Sequence, residues 1–185
     1  MSKALRAPSG TAPQASSAPP GWLTRLRQSV GQNRIRKFAY EHPDASMSLR
    51  DGLEEYYSSD PGLLAPADVS HDVAIGLRAH DAAHVVFGCD TSVRGEVVLA
   101  RWSLFGAEDG IQIYLRGLRS KETRFLFVDF FRRVRPAMLL LAAFDGMRAL
   151  IRSISLRKRW PSFDWENYAD RPLAEIHSDF KIRVL

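Results

Sequence analysis

The chain has 185 residues, of which 45% are hydrophobic and 25% are charged. This composition predicts one soluble domain with enough apolar side chains for a real core. The single cysteine, Cys89, excludes an internal disulfide and any zinc site built on two or more cysteines. The formal net charge of +5 favours an anionic partner, such as nucleic acid, an acidic membrane surface or a phosphorylated ligand, without choosing among them.

Residues 1–21 are rich in Ala, Ser and Pro and have almost no large apolar side chains. Such a segment buries too little surface to offset the entropy of ordering, so we predict a disordered tail followed by one domain over residues 22–185. The tail lacks the apolar core of a secretory signal, although its composition also fits a transit peptide. No uncharged apolar run approaches the roughly 20 residues of a spanning helix.

Residues 22–43 place Trp22, Leu26 and Val30 at helical spacing between basic side chains. This basic amphipathic segment is either a helix packed on the domain or an interfacial helix on anionic lipid. Residues 47–64 predict a short helix that ends in Ser-Ser-Asp-Pro-Gly, with Tyr56 and Tyr57 partly buried.

The middle of the chain predicts a pair of helices joined by a loop. Residues 66–87 form one or two helices, with Pro66 near the start and Gly88 as the C-terminal stop. Residues 96–106 form the next helix, which returns antiparallel and carries Glu96 in its first turn.

The last third of the chain predicts further helices. Residues 111–160 contain two, which are interrupted or kinked at Pro136. Residues 161–180 read as a loop and a short helix, with Asp170 as its N-cap and Pro172 just inside its start. Since we find no convincing strand pattern or internal repeat, the predicted fold class is mainly α, a single-domain helical bundle.

Residues 78–102 contain a pattern typical of a metal site. His80 and His84 are four residues apart, so on a helix both project from one face and can hold one ion at roughly 2.0–2.1 Å. Asp81 can bind the same ion, orient a ligand histidine, or act as a base on bound water. Glu96, at the start of the returning helix, completes a two-histidine, one-carboxylate set with open positions. Taken alone, a pair of histidines at this spacing is more often part of the core or the surface.

A second His-Asp pair provides an internal comparison. His71 and Asp72 repeat the first two letters of the pattern, but Ile75 stands where the second histidine would be. We therefore interpret His71 and Asp72 as a feature of a helix N-terminus.

The sequence "HDAAH", eleven residues and "E" resembles the H-D-x-x-H-x11-E motif of the ubiquinone (coenzyme Q) biosynthesis protein 4 family. The segment "DWENYADRPLAEIHSDFKI" is similar to the closing segment of that family. The resemblance is specific over residues 80–102 and 161–182 and diffuse between them. It departs from the family at Asp90, where proline is usual, and at Arg94, where an apolar residue is usual.

The resemblance implies that His80, Asp81, His84 and Glu96 bind a divalent metal, usually assigned as Zn²⁺. It implies a decarboxylase (lyase) that removes the ring C1 carboxyl group from a polyprenylated benzoate, alone or coupled to hydroxylation, with Asp81 as the catalytic proton carrier. An oxidative reaction would favour Fe²⁺, because zinc does not change oxidation state.

The same resemblance implies two partners, the polyprenylated quinone precursor and other ubiquinone biosynthesis proteins. The basic amphipathic segments and the expected lipid tail of the substrate add a third, an anionic membrane surface. We expect a peripheral location on the cytoplasmic side of the bacterial inner membrane, or on the matrix side of the mitochondrial inner membrane in a eukaryote. A homodimer is one possibility, because nothing in the sequence fixes the oligomeric state.

Two features suit a lipid-tailed substrate, and each has a plain structural alternative. Aromatic residues between 125 and 144 either line a groove for the prenyl chain or simply pack in the core. The cations of residues 148–159 either contact anionic lipid or form a solvated helix C-terminus.

The alternative function is a non-catalytic lipid-binding scaffold with a structural metal. Nucleic-acid binding rests on charge alone, without a recognisable motif, so we do not expect it.

Overall fold

The computed structural model describes residues 38–59, 63, 67, 69–119, 124 and 136–185, with backbone alone for residues 113–114, 116–118 and 136–142. The predicted tail and the amphipathic segment up to residue 37 lie outside the described residues, as do the aromatic residues between 125 and 135. The described part is helical and contains no β-strand, which confirms the mainly α fold class.

The described elements, in chain order, are a 3₁₀ helix Ala39–Glu41, α1 Leu49–Ser59, α2 His71–Val86, α3 Val93–Gly106, α4 Gly110–Arg119, α5 Pro136–Ile154, a 3₁₀ helix Ser162–Tyr168 and α6 Leu173–Phe180. The helix predicted within residues 47–64 is confirmed as α1. The described part of α5 starts at Pro136, and the interruption or kink predicted there stays a prediction.

Helix α2 carries the predicted histidine pair, and both of its ends have local causes. It begins five residues after Pro66, following an extended Ser70. It ends in a Schellman motif, in which the N–H of Gly88 donates to the carbonyl of Val85 and the N–H of Cys89 donates to that of His84. Gly88 has φ of 61°, a conformation that glycine adopts without strain. The predicted stop at Gly88 is confirmed.

The predicted cap of the last helix is wrong. Pro172, and not Asp170, occupies the N-cap position of α6, with no side-chain capping bond. The carboxylate of Asp170 instead accepts a hydrogen bond from Nε of Arg50 at 2.7 Å. The N–H of Arg50 donates to the carbonyl of Ala169. These contacts connect the turn before α6 to α1. Capping rules consider only neighbouring residues, so they cannot predict such contacts.

Close approach of α1 to α2 positions the site. A Cβ at Gly52 would lie 2.6 Å from Cγ1 of Val85, so the two helices can pack this closely only because residue 52 is glycine. The approach brings the second half of α1 against the second half of α2. Tyr56 is buried there and Tyr57 is half-buried, in agreement with their predicted partial burial.

Helix α3 packs along α5, and an ion pair joins them near the start of α3. Nε of Arg94 lies 2.5 Å from Oδ2 of Asp145, whose side chain is nearly buried. Arg94 therefore has a partner on α5, at a position where an apolar residue was expected. None of the helices in the described residues is long and apolar enough to cross a membrane.

Candidate metal site

The four predicted site residues come from the second half of α2 and the first turn of α3. His80, Asp81 and His84 lie on α2, where the surrounding Ala and Val residues are buried. Glu96 lies in the first turn of α3, as predicted. The short connection between the two helices places this carboxylate opposite the histidine pair.

Three of these residues form a group that could hold a metal ion. His80, His84 and Glu96 each offer a donor atom, and the three atoms lie within 4.8 Å of one another. Nε2 of His84 is 3.1 Å from Oε1 of Glu96, and Nε2 of His80 is 3.6 Å from Oε2. Donors bound to one ion at about 2.1 Å are at most about 4 Å apart, so small inward rotations suffice to close the site.

His84 is prepared as a ligand by its surroundings. Its Nδ1 lies 3.1 Å from the carbonyl oxygen of Cys89, which can only accept, so Nδ1 carries the proton when the ring is neutral. The opposite atom, Nε2, is fully buried and has no hydrogen-bond partner among the described residues. Its lone pair faces a carboxylate oxygen of Glu96, an unfavourable contact unless a proton or a cation lies between the two atoms. This orphaned nitrogen fits a metal ligand.

Asp81 lies beside the group but turns toward other partners. Its Oδ2 accepts a hydrogen bond from the hydroxyl of Tyr57 at 2.9 Å. Its Oδ1 is 3.6 Å from Nδ1 of His80, on the side of that ring away from Glu96. Asp81 is not part of the three-residue group, and its predicted roles as an orienting residue, a base or a direct ligand all stay predictions.

At this site, burial and neighbouring charges shift the pKa values of His80 and Glu96 in opposite directions. Burial lowers the pKa of His80, but the carboxylates of Asp81 and Glu96 outweigh it and raise this pKa to about 10. Burial raises the pKa of Glu96, but His84 and His80 outweigh it and hold this pKa well below its usual value. A metal ion therefore displaces a proton from His80 when it binds at neutral pH.

The loop between α2 and α3 is shaped around Asp90. Its Oδ1 accepts hydrogen bonds from the N–H and hydroxyl of Ser92, and this hydroxyl oxygen accepts from the N–H of Gly95 as the N-cap of α3. A Cβ at Gly95 would lie 2.0 Å from the carbonyl oxygen of Asp90, so glycine is required next to Glu96. Asp90 thus supports the loop by hydrogen bonds at a position where proline was expected.

Sequence reasoning missed the two tyrosines of α1 as site residues. The ring of Tyr56 stacks on the ring of His84 with centroids 5.1 Å apart, and Tyr57 binds Asp81 as described. Their partial burial was predicted, but no local signal indicates that α1 would cover this face of α2. Cys89 contributes its carbonyl oxygen to the site, while burial raises the pKa of its thiol well above the usual value.

The second His-Asp pair lies apart from the site. His71 and Asp72 are exposed and begin α2, which confirms their interpretation as a helix N-terminal feature. An acidic residue in the first turn is favoured there by the helix dipole.

No protein-family model, curated protein or solved structure matches the chain. The resemblance to the ubiquinone biosynthesis protein 4 family therefore rests on the motif residues, and the metal-site geometry is an independent observation.

Proposed function

We propose that this chain is a metal-dependent decarboxylase of ubiquinone biosynthesis that removes the C1 carboxyl group from a polyprenylated benzoate. The observation that carries the proposal is the group formed by His80, His84 and Glu96, in which the buried Nε2 of His84 faces Glu96 and makes no hydrogen bond within the described residues. Two neutral nitrogens and one carboxylate suit Zn²⁺ or Fe²⁺ and leave coordination positions open for a substrate.

The exposure of the site suits a substrate that approaches from one side. The His84 side chain is fully buried, whereas those of His80 and Glu96 are 23% and 29% exposed. A bound divalent ion supplies Lewis acidity, which stabilises negative charge on a carboxylate or phenolate oxygen. The buried side excludes water, and the open side admits the aromatic head group.

The reaction breaks the bond between ring C1 and its carboxyl group. Carbon dioxide leaves, the electron pair stays on C1, and a proton replaces the carboxyl group there. Asp81 is assigned to pass this proton from solvent to C1, since it lies next to the metal-binding histidines. A coupled hydroxylation would instead need O₂ and a redox-active ion such as Fe²⁺.

The test compares metal content and product formation in matched variants. Elemental mass spectrometry and a C1 decarboxylation assay on a polyprenylated hydroxybenzoate are applied to the wild type, His84→Ala, Glu96→Gln and the control His71→Ala. We expect near-stoichiometric metal and activity in the wild type and the control, and loss of both in the two site variants. Equal trace metal in all four proteins would overturn the proposal.

A second candidate, the lipid-binding scaffold, is favoured by an exposed apolar stripe on α5. Phe144, Met147, Ile151 and Ile154 recur every three to four residues, and their exposed fractions lie between 55% and 75%. Exposed cations follow the helix, at Arg157, Lys158 and Arg159. An apolar stripe next to cations suits a peripheral contact with anionic lipid.

Vesicle co-sedimentation tests this contact. The wild type should bind vesicles that contain an anionic phospholipid more strongly than purely zwitterionic vesicles, and Ile151→Glu with Ile154→Glu should reduce that binding. Ile75→Glu is the matched control, because Ile75 is an exposed apolar residue on α2. Equal binding by the double variant and the control would count against the stripe.

The two candidate functions differ in what the metal does. A decarboxylase keeps its fold but loses product formation when Asp81 is changed to Ala. A scaffold with a structural metal loses stability together with its metal, because structural ions are coupled to folding. Thermal unfolding and product assays of Asp81→Ala separate these outcomes.

A further inference from the structure

Tyr57 contacts the site from outside the sequence motif. It lies on α1, and its hydroxyl donates a hydrogen bond to Oδ2 of Asp81 at 2.9 Å. We propose that Tyr57 is a positioning residue, which holds the Asp81 carboxylate so that its other oxygen orients His80 toward the metal. This inference rests on the proposed metal-dependent function and adds a third helix to its site.

The contacts around His80 suit such an arrangement. Oδ1 of Asp81 is 3.6 Å from Nδ1 of His80, and the opposite ring atom, Nε2, is 3.6 Å from Oε2 of Glu96. A carboxylate on one ring nitrogen sets both the tautomer and the orientation of a histidine that binds metal through the other. The Cys89 carbonyl supports His84 in the same way, so the two histidines have separate supports.

Asp81 needs an external contact to take this role. It directly follows His80 on α2, so its side chain leaves the helix about 100° around the axis from the histidine. The carboxylate must turn back toward the ring, and it is only 5% exposed, so water cannot readily hold it. The hydroxyl of Tyr57 satisfies one carboxylate oxygen and leaves the other directed at His80.

The ring of Tyr57 is itself held in place. It packs edge-on against Tyr56, with centroids 5.6 Å apart, and Tyr56 stacks on His84. Burial and the negative charge of Asp81 raise the pKa of Tyr57 above its usual value. The hydroxyl therefore remains a donor throughout the neutral range.

The experiment measures metal binding by Tyr57→Phe, which keeps the ring and removes the hydroxyl. Zn²⁺ affinity is measured by competition with a chromophoric chelator, and the site geometry by the visible absorption bands of bound Co²⁺. Tyr168→Phe is the matched control, since Tyr168 packs in the aromatic cluster with Trp160 and Phe180. We expect about tenfold weaker Zn²⁺ binding and shifted Co²⁺ bands in Tyr57→Phe alone.

A double-mutant cycle tests whether Tyr57 acts through Asp81. In the Asp81→Ala background the hydroxyl has no carboxylate to hold, so adding Tyr57→Phe should change Zn²⁺ affinity by less than about twofold. An equal loss in both backgrounds, or wild-type affinity and Co²⁺ bands in Tyr57→Phe, would overturn the inference while leaving the proposed function intact. Absence of metal binding by the wild type would overturn both.

Discussion

The two ends of α2 carry the same dipeptide in opposite environments. At the first turn, His71 and Asp72 are exposed. Nine residues later, His80 faces Glu96 of α3, and Asp81 contacts His80 and the hydroxyl of Tyr57 on α1. The difference shows that the dipeptide alone does not make a site, because packing of other helices supplies the third ligand and removes water.

The largest predicted effect is stabilisation by bound metal, which should need the site at the second half of α2 and not the His-Asp pair at its first turn. Zn²⁺ at about 1,000 times its Kd adds about 4 kcal/mol to the free energy of unfolding, which corresponds to a rise in Tm of roughly 10 °C for a chain of this size. Differential scanning fluorimetry should show this rise in the wild type and in His71→Ala, and no rise in Glu96→Gln. A rise of equal size in all three proteins would place the ion elsewhere.

Adding a methyl group to the close contact between α1 and α2 should produce the next largest effect. In Gly52→Ala the new Cβ meets the stiff side chain of Val85, so we expect a loss of about 1–3 kcal/mol in the free energy of unfolding. Tyr56 and Tyr57 should then shift away from α2, and Zn²⁺ affinity should fall as well. Urea denaturation and chelator competition measure the two effects.

A glycine-to-alanine change in the first half of α2 should raise the free energy of unfolding instead of lowering it. A Cβ at Gly76 meets no atom of the described residues within 4 Å, and alanine is favoured over glycine inside a helix by up to about 1 kcal/mol. Gly76→Ala should therefore stabilise the protein without altering Zn²⁺ affinity. Destabilisation in urea would mean that this half of α2 packs more tightly than its environment indicates.

A pH-dependent contact at the C-terminal end of α2 should have the smallest effect. Burial lowers the pKa of His177, and hydrogen bonds to the carbonyls of Val86 and Pro43 only partly offset it. The neutral ring is thus favoured in the fold, so its stability contribution is full above the unfolded-state pKa of about 6.5 and falls as the pH decreases through the folded-state pKa.

Urea denaturation at pH 7.5 and 5.0, in the presence of a chelator, checks this sign. The loss of stability on acidification should be smaller in His177→Gln than in the wild type. An equal or larger loss in the variant would assign the acid sensitivity to other groups.

Much of the fold was predictable because its signals are local. The stop of α2 at Gly88 and the place of Glu96 in a first turn both depend on residues within a few positions of one another. The N-cap of α6 was predicted wrongly: Pro172 takes that position, and Asp170 pairs with Arg50, which lies 120 residues earlier in the chain.

The candidate site likewise has a part that local spacing predicts and a part that only packing decides. Helical spacing by itself determined that His80 and His84 share a face, and the predicted returning helix brought Glu96 to the same set before the resemblance placed all four residues in one motif. Only the tertiary structure decided that Nε2 of His84 is buried without a hydrogen-bond partner. It also decided that Tyr57 of α1 holds Asp81. The physical reason is that spacing along one helix is set by its own geometry, whereas burial and hydrogen-bond partners depend on which other helices pack against it.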